Sequence, residues 1–195
     1  MSEEFNRQMN FNQNGNQNTQ IAHAENVYIN CQLPLPVPSN IDYDYYNLFV
    51  TADSEFRLKP NEQSGTILIR FEKKLQLKHT IPDIRNQILP LCPKTKVRVR
   101  SFPSIFAAES KLIDGYSNDI EPEQEAYIGY IQEMIVQDDI IKITFSKHQT
   151  VYQTNLMELS DSLCLMNKPR FNELEKAHWA IKNVNLKQIF PALNF

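Results

Sequence analysis

The stretch AYIGYIQEMIVQDDIIKITF (residues 126–145) decides the fold class of this chain. Strand-forming residues fill Ala126–Val136 and Ile140–Phe145, and the polar Gln137-Asp138-Asp139 separates the two runs. Two such runs around a short polar segment predict a β-hairpin.

Further elements are predicted on the N-terminal side of this hairpin. Strands are expected at Tyr46–Thr51 and at Gly65–Phe71, where apolar residues alternate with polar ones. Lys94–Ser104 alternates strictly and predicts a strand with Val97 and Val99 facing inward. Pro82–Leu89 has Ile84 and Ile88 at helical spacing and predicts a turn or short helix.

Two helices are predicted after the hairpin. The first begins at Asn155 and has one apolar face, and the second begins at Asn172 and has another. Their apolar faces are formed by Leu156, Leu159 and Leu163, and by Leu174, Ala177, His178 and Ile181. We therefore predict an α+β fold: a small curled antiparallel sheet or partly open β-barrel with two C-terminal helices, preceded by an Asn/Gln-rich β-arm.

The predicted organisation has four parts. Residues 1–32 form the Asn/Gln-rich arm and residues 33–40 form a linker, in which alternating prolines hold the chain extended. Residues 41–150 form the strand-rich body, and residues 151–195 form a helical segment packed on it.

Composition limits the class of protein. A chain of 195 residues with 42% hydrophobic residues can bury one sizeable core. The formal net charge of −3 gives no global reason to expect nucleic acid or an anionic membrane as a partner. The N-terminus has no secretory signal pattern, and no apolar run approaches membrane-spanning length, so we expect a cytoplasmic protein that does not bind membranes.

Catalytic motifs are not found. The four histidines are scattered, and the four glycines form no phosphate-binding or nucleophile motif. Cys92 and Cys164 have apolar neighbours and are expected to be buried. The carboxylates of Glu121, Glu123 and Glu125 and of the Asp138-Asp139 turn could bind a cation, although a hydrated acidic loop is the commoner arrangement. We therefore predict no catalytic residue, no metal, no cofactor and no enzymatic activity.

A basic stripe is the first candidate binding feature. Lys94, Lys96, Arg98 and Arg100 recur at every second residue, so a strand would place all four on one face, which Phe102 continues. Cations and an aromatic ring on a sheet face are typical of nucleic-acid-binding barrels. The same stripe is also typical of a solvated edge strand.

Trp179 is the single tryptophan, and it has two interpretations. An amphipathic ring in a helix usually anchors that helix to the core. The alternative is an energetic hot spot for a partner protein.

The arm is the second candidate feature. Ten of the fifteen residues from Asn6 to Gln20 are Asn or Gln, a composition typical of disorder or of amide ladders between stacked strands. Ile21, Val27 and Ile29 share one parity around Glu25-Asn26, which predicts two short strands. A lone hairpin is marginal in water, so these strands need a second chain or the body to complete them. The predicted partner-binding residues are Gln17, Gln20, Ile21, Val27, Tyr28 and Ile29.

The segment Gly15–Asn30 resembles the short Asn/Gln-rich motifs at the ends or junctions of bacterial conflict-system and anti-phage proteins. Those motifs read as N-x-Q-I followed by a V-x-I strand, and Asn18–Ile21 and Val27–Ile29 match that form. The resemblance implies an accessory or adaptor role in a multi-gene defence system. We therefore expect a non-enzymatic protein that uses its arm for self-association or for docking on a larger effector, with nucleic-acid binding through the basic stripe as the alternative.

Overall fold

The computed structural model describes residues 38–52, 56–58, 62–70, 80, 82–89, 91–111, 121–168 and 171–191. All of them belong to one compact unit that begins at Pro34. Its strands are β1 (Tyr46–Thr51), β2 (Phe56–Arg57), β3 (Ser64–Arg70), β4 (Pro103–Ala108), β5 (Glu125–Gln137), β6 (Ile140–Tyr152), β7 (Met166–Lys168), β8 (Phe171–Asn172) and β9 (His178–Lys182). Its α-helices are α1 (Pro82–Ile88), α2 (Pro93–Ser101), α3 (Gln153–Glu158) and α4 (Leu186–Ile189), and a 3-10 helix spans Glu173–Glu175.

A single open sheet organises the described residues. Its seven strands lie in the order β2-β3-β6-β5-β4-β1-β9, and β7 and β8 form a separate two-stranded ribbon. The α+β class is confirmed. The sheet is mixed rather than antiparallel throughout, because β1 and β4 run parallel, with Asn47 opposite Ser104 and Thr51 opposite Ala108.

The β5–β6 hairpin is the longest feature of the sheet. Each strand has 13 residues, so the predicted hairpin is confirmed, but β6 continues seven residues beyond the predicted end at Phe145. Asp138 adopts φ 48° in the turn, a conformation that Asp tolerates better than most residues. The register shifts at Ile128/Gly129 and again at Ile131/Glu133. Such bulges bend a strand and increase its twist.

One face of the sheet is covered by α1 and α2. Ile84, Ile88 and Val99 on these helices are at most 2% exposed. They pack with sheet residues such as Phe49 and Phe106 in one apolar cluster. Ile84 and Ile88 thus confirm the helix that their spacing predicts.

Aromatic rings form a row across this first face. The ring centroids of Phe106 and Phe145 lie 4.0 Å apart, and Phe49 stacks on both Phe106 and Trp179 at 5.4 and 5.6 Å. Trp179 is fully buried, so the core interpretation of this residue is confirmed and the surface hot spot is wrong.

The second face is covered by the chain after β6. A second apolar cluster joins Leu48, Ile105 and Ala180 of the sheet to side chains of this C-terminal segment. Those side chains include Leu156, Leu163, Leu165, Leu174, Leu186 and Phe190. Both faces of β1, β4 and β9 are therefore buried.

The two predicted C-terminal helices need correction. The first is shorter than expected, because α3 ends at Glu158 and Leu163 reaches the core from the turn that follows. The second is wrong: its sequence forms β8, the 3-10 helix and β9. All five β9 side chains are buried, so the strand has no polar alternation that would distinguish it from a helix.

Among the described residues, no helix has the length and apolar character needed to cross a membrane.

Candidate functional site

The predicted basic strand is a helix. Residues 93–101 form α2, and only the following Pro103–Ala108 is a strand. Pro93 occupies the first turn, where a backbone N–H would have no partner within the helix, so its missing N–H costs nothing. The backbone N–H of Lys96 and the hydroxyl of Thr95 both donate to Cys92 O at 3.0 Å. Arg98 and Arg100 lie in the last turn, where cations interact favourably with the helix dipole.

The helix exposes Lys94, Arg98 and Arg100, whereas Lys96 is half-buried. At 100° per residue, Val99 points into the core, the pair Lys94/Arg98 lies on one side of the helix and the pair Lys96/Arg100 lies on the other. Val97 lies between these pairs and is 66% exposed. We call Lys94, Lys96, Val97, Arg98 and Arg100 the α2 surface. The sequence of α2, Pro93–Ser101, contains no Asp or Glu.

Phe102 does not belong to this surface. Its ring is fully buried in the first apolar cluster, so its predicted role as a contact residue is wrong. The Arg98 guanidinium carbon lies 5.8 Å from the Phe102 ring centroid, and Arg98 Nη2 lies 3.9 Å from Asp42 Oδ2. Phe102 and Asp42 therefore orient Arg98 at the surface.

Cys92 and Cys164 are both exposed, and the prediction that they are buried is wrong. Cys92 precedes the first residue of α2. Hydrogen bonds from the backbone and the hydroxyl of Thr95 lower the pKa of the Cys92 thiol, and the hydroxyl lies 3.6 Å from Sγ.

The predicted arm residues lie outside the described part of the chain. They are Gln17, Gln20, Ile21, Val27, Tyr28 and Ile29.

A buried charged cluster was missed by sequence reasoning. Glu173 is fully buried, and its Oε1 accepts from Lys182 Nζ at 2.6 Å while its Oε2 lies 3.2 Å from His178 Nε2. His178 Nδ1 lies 2.7 Å from the carbonyl of Lys176. A neutral imidazole can donate to only one of these two acceptors, whereas an imidazolium can donate to both. We call Glu173, His178 and Lys182 the buried triad.

Local structure explains how these three side chains meet. The Asn172 side chain accepts from Leu174 N at 2.9 Å and so begins the 3-10 helix that carries Glu173. His178 and Lys182 lie on the same face of β9, because residues at even spacing share a strand face. The sequence spacing gave no signal of this meeting, because the helix predicted there would have arranged the side chains differently.

The buried triad is closed to solvent. Its side chains are at most 6% exposed, so a substrate reaches them only if the C-terminal segment moves. Nearby, Tyr46 donates to Leu163 O at 2.7 Å, and burial, with Glu173 as the next cause, raises the pKa of Tyr46. These contacts are typical of a structural polar network beneath an apolar cover.

The predicted acidic candidates are exposed. Glu121, Glu123, Asp138 and Asp139 lie at the surface, and Glu125 accepts from the Tyr127 hydroxyl at 2.7 Å. Within the described ranges, no three His, Cys, Asp or Glu side chains come close enough to hold a metal ion.

The fold and the α2 surface define an α+β protein with an open mixed sheet and one strongly cationic, exposed helix. No protein-family model, curated protein or solved structure matches this chain.

Proposed function

We propose that this chain is a non-enzymatic accessory or adaptor protein of a bacterial defence system. The amide-rich arm self-associates or docks on a larger effector, and the folded body contacts a partner through the α2 surface. The defence role is supported by the resemblance of Gly15–Asn30 to motifs of conflict-system proteins.

The α2 surface carries the proposal for the body. Four cations surround an exposed Val97 on a helix that Val99 anchors to the core. Arginine is enriched in protein interfaces, and a cationic surface steers acidic partners toward it. A rigid helix also fixes the backbone positions from which these side chains extend, which reduces the backbone entropy lost on association.

The arm is tested with point substitutions in the full-length chain. We expect the double substitution Ile21→Asp, Ile29→Asp to reduce an assembly of several copies to a species near 22.8 kDa, because both charges would lie on the predicted apolar strand face. Light scattering after size-exclusion chromatography measures the mass. Ala24→Asp has the opposite parity and is the matched control.

Two results would contradict the role of the arm. One is a mass that the double substitution leaves unchanged. The other is unchanged capture of the products of neighbouring genes in a pull-down with the same variant.

Nucleic-acid binding through the α2 surface is the second candidate function. The observation in its favour is that Lys94, Arg98 and Arg100 are exposed and Lys96 is half-buried. The four cations extend over roughly 9 Å of helix length. Phosphate contacts by Lys and Arg give affinity without requiring sequence readout.

For this candidate, we expect the double substitution Lys96→Gln, Arg100→Gln to weaken binding to a 30-base-pair DNA duplex by about tenfold. The slope of log affinity against log salt should fall by about one for each lost phosphate contact. Fluorescence anisotropy between 50 and 300 mM salt measures both quantities.

The control is Lys142→Gln, Lys187→Gln, which removes the same charge from exposed residues outside α2. Affinity that does not depend on salt, or an equal loss in the control variant, would exclude this function for α2.

A further inference from the structure

The strands β3, β6 and β5 present a regular array of side chains to solvent on the second face of the sheet. The array has three rungs, and each rung takes one residue from β3, one from β6 and one from β5. All of these residues are exposed or half-buried, and we call them the outer sheet face. The rungs are Thr66, Thr144 and Glu133; Leu68, Lys142 and Ile135; and Arg70, Ile140 and Gln137.

Alternation along the strands places these side chains outside the core. Their neighbours in sequence, such as Ile69, Ile141 and Met134, are buried in the first apolar cluster. Because successive side chains of a strand point to opposite faces, the residues between those neighbours point to the second face. The second apolar cluster includes Ile128 of β5 but no residue of the outer sheet face.

Apolar side chains are grouped on the outer sheet face. Ile135 is 40% exposed and Ile140 is 43% exposed, and Leu68 is half-buried. Leu68 and Ile135 flank Lys142 on the middle rung, and the methylene stem of a lysine can lie against apolar neighbours. Single exposed apolar residues are ordinary, but a group of them with a polar rim is typical of a protein-binding surface.

The charges of this face indicate what binds to it. Glu133 and Lys142 lie on neighbouring strands and on adjacent rungs, and both side chains are exposed. Within the described residues, neither of them takes part in an ion pair. A face that carries opposite charges side by side complements a copy of itself better than a partner of one sign. The charge pattern therefore favours a second copy of this chain.

One two-fold arrangement satisfies both charges. An axis that runs across the strands, between the rung of Glu133 and the rung of Lys142, exchanges these two rungs between the copies. It places each Lys142 over the partner's Thr144, one strand away from the partner's Glu133. It also brings the two copies of Ile135 to a lateral distance of about 7 Å, so that their side chains meet across the axis.

The same arrangement fills a depression on this face. The depression has a volume of about 470 Å³ and is lined by residues of β3 and β6, among them Ser64, Thr66 and Thr144. Because the axis exchanges the rung of Ile140 with the position of Ser64 and Ser146, the partner's Ile140 lies at the Ser64 end of the depression. The exposed Ile140 of each copy is thereby covered by the other copy.

The size of the face determines how strong this contact can be. At about 4.8 Å between strands and about 6.7 Å between rungs, the three rungs cover roughly 300 Å² in projection. Stable interfaces bury about 800 Å² on each partner. The contact is therefore weak, and its dissociation constant is expected above about 10 μM.

We propose that the outer sheet face is a self-complementary interface through which two copies of this chain stack face to face, with Lys142 of each copy paired with the partner's Glu133. The contact uses no residue of the arm or of the α2 surface, so it does not depend on the functions proposed for them. Where another part of the chain holds copies together, a weak contact of this kind becomes intramolecular and is strengthened by effective concentration.

The test is sedimentation velocity of the full-length chain from about 10 μM to about 1 mM. Every sample also carries Ile21→Asp and Ile29→Asp, so that the proposed arm contact does not account for association. We expect the species of 22.8 kDa to be replaced by one of twice that mass as the concentration rises. Glu133→Lys and Lys142→Glu should each weaken this association by about tenfold or more, because each places like charges across the interface.

Mixing the two variants is the decisive measurement. One variant then presents only positive charge at these two positions and the other only negative charge, so the mixture should associate at least as tightly as the chain with an unchanged face. Glu158→Lys makes the same charge reversal at an exposed position of α3, and this control should leave the association unchanged. Circular dichroism confirms that each variant is folded.

Three results would overturn the proposal. The first is a mass that stays near 22.8 kDa at every concentration. The second is association that the two single reversals leave unchanged, or that Glu158→Lys weakens equally. The third is a mixture of the two variants that associates no better than either variant alone, because the charges would then not act between copies.

Discussion

Replacing Glu173 with glutamine is expected to lower the free energy of unfolding by about 3–5 kcal/mol, because it leaves the buried Lys182 ammonium without its carboxylate. Glu173 is fully buried, and Lys182 Nζ lies 2.6 Å from its Oε1. The amide has nearly the same shape as the carboxylate, so the substitution removes charge with little change in packing. Lys182 is itself only 5% exposed and cannot return to water without opening the C-terminal segment.

Urea unfolding at 25 °C measures this loss. Glu175→Gln is the control: it makes the same change two residues away at a half-buried position, and it should shift stability by less than about 0.5 kcal/mol. The double variant Glu173→Gln, Lys182→Met should recover part of the loss, because it removes the buried charge together with its partner. A loss below about 1 kcal/mol in Glu173→Gln would contradict the importance of the buried triad.

Replacing Gly129 with alanine is the second change with a large expected effect. A Cβ at this position would lie 1.7 Å from Ser146 O and 2.9 Å from Ser146 C, both backbone atoms of the neighbouring strand. The glycine lies at the register shift between β5 and β6, where the strands approach closely. Relief of the overlap requires the two strands to separate, so we expect a loss of at least about 3 kcal/mol or failure to fold.

Expression as a folded species and urea unfolding measure the effect of Gly129→Ala. Ile135→Ala on the same strand is the control, because that side chain is 40% exposed and its loss should cost less than about 1 kcal/mol. Equal stabilities of Gly129→Ala and the wild type would mean that the two strands are farther apart at this point than the distances indicate.

The local sequence predicted an element correctly where its residues favoured only one type of secondary structure. Period-two patterns predicted β3, helical spacing predicted α1, and a polar break predicted the turn between β5 and β6. Asn185 caps the last short helix, α4, and its side chain accepts from Lys187 N and Gln188 N. The conformation of each of these elements is favoured by residues close together in sequence, and the tertiary contacts favour the same conformation.

The candidate site was predicted only in part. Lys94, Arg98 and Arg100 are exposed as predicted, but Lys96 is half-buried, and the predicted strand geometry and the role of Phe102 were wrong. The alternating valines of this segment fit a strand, whereas Pro93 at its start and the Lys and Arg residues fit a helix. A strand would place Val97 and Val99 on the same face, but the structure buries Val99 and leaves Val97 66% exposed, as a helix does. The buried triad depends on residues from the 3-10 helix and β9, so no sequence spacing could reveal it.

The sequence by itself determined the α+β class, the central hairpin and the concentration of positive charge at residues 94–100. Only the tertiary structure decided that Glu173 meets Lys182 in the core, that β9 is a strand, and that β6 extends beyond β3. The reason is that a strand buried on both faces, such as β9, has apolar residues at successive positions and shows no alternation of polar and apolar residues. Packing against neighbouring strands then determines its secondary structure and its pairing. Local propensity fixed the elements that face water on one side, whereas burial against distant residues fixed the others.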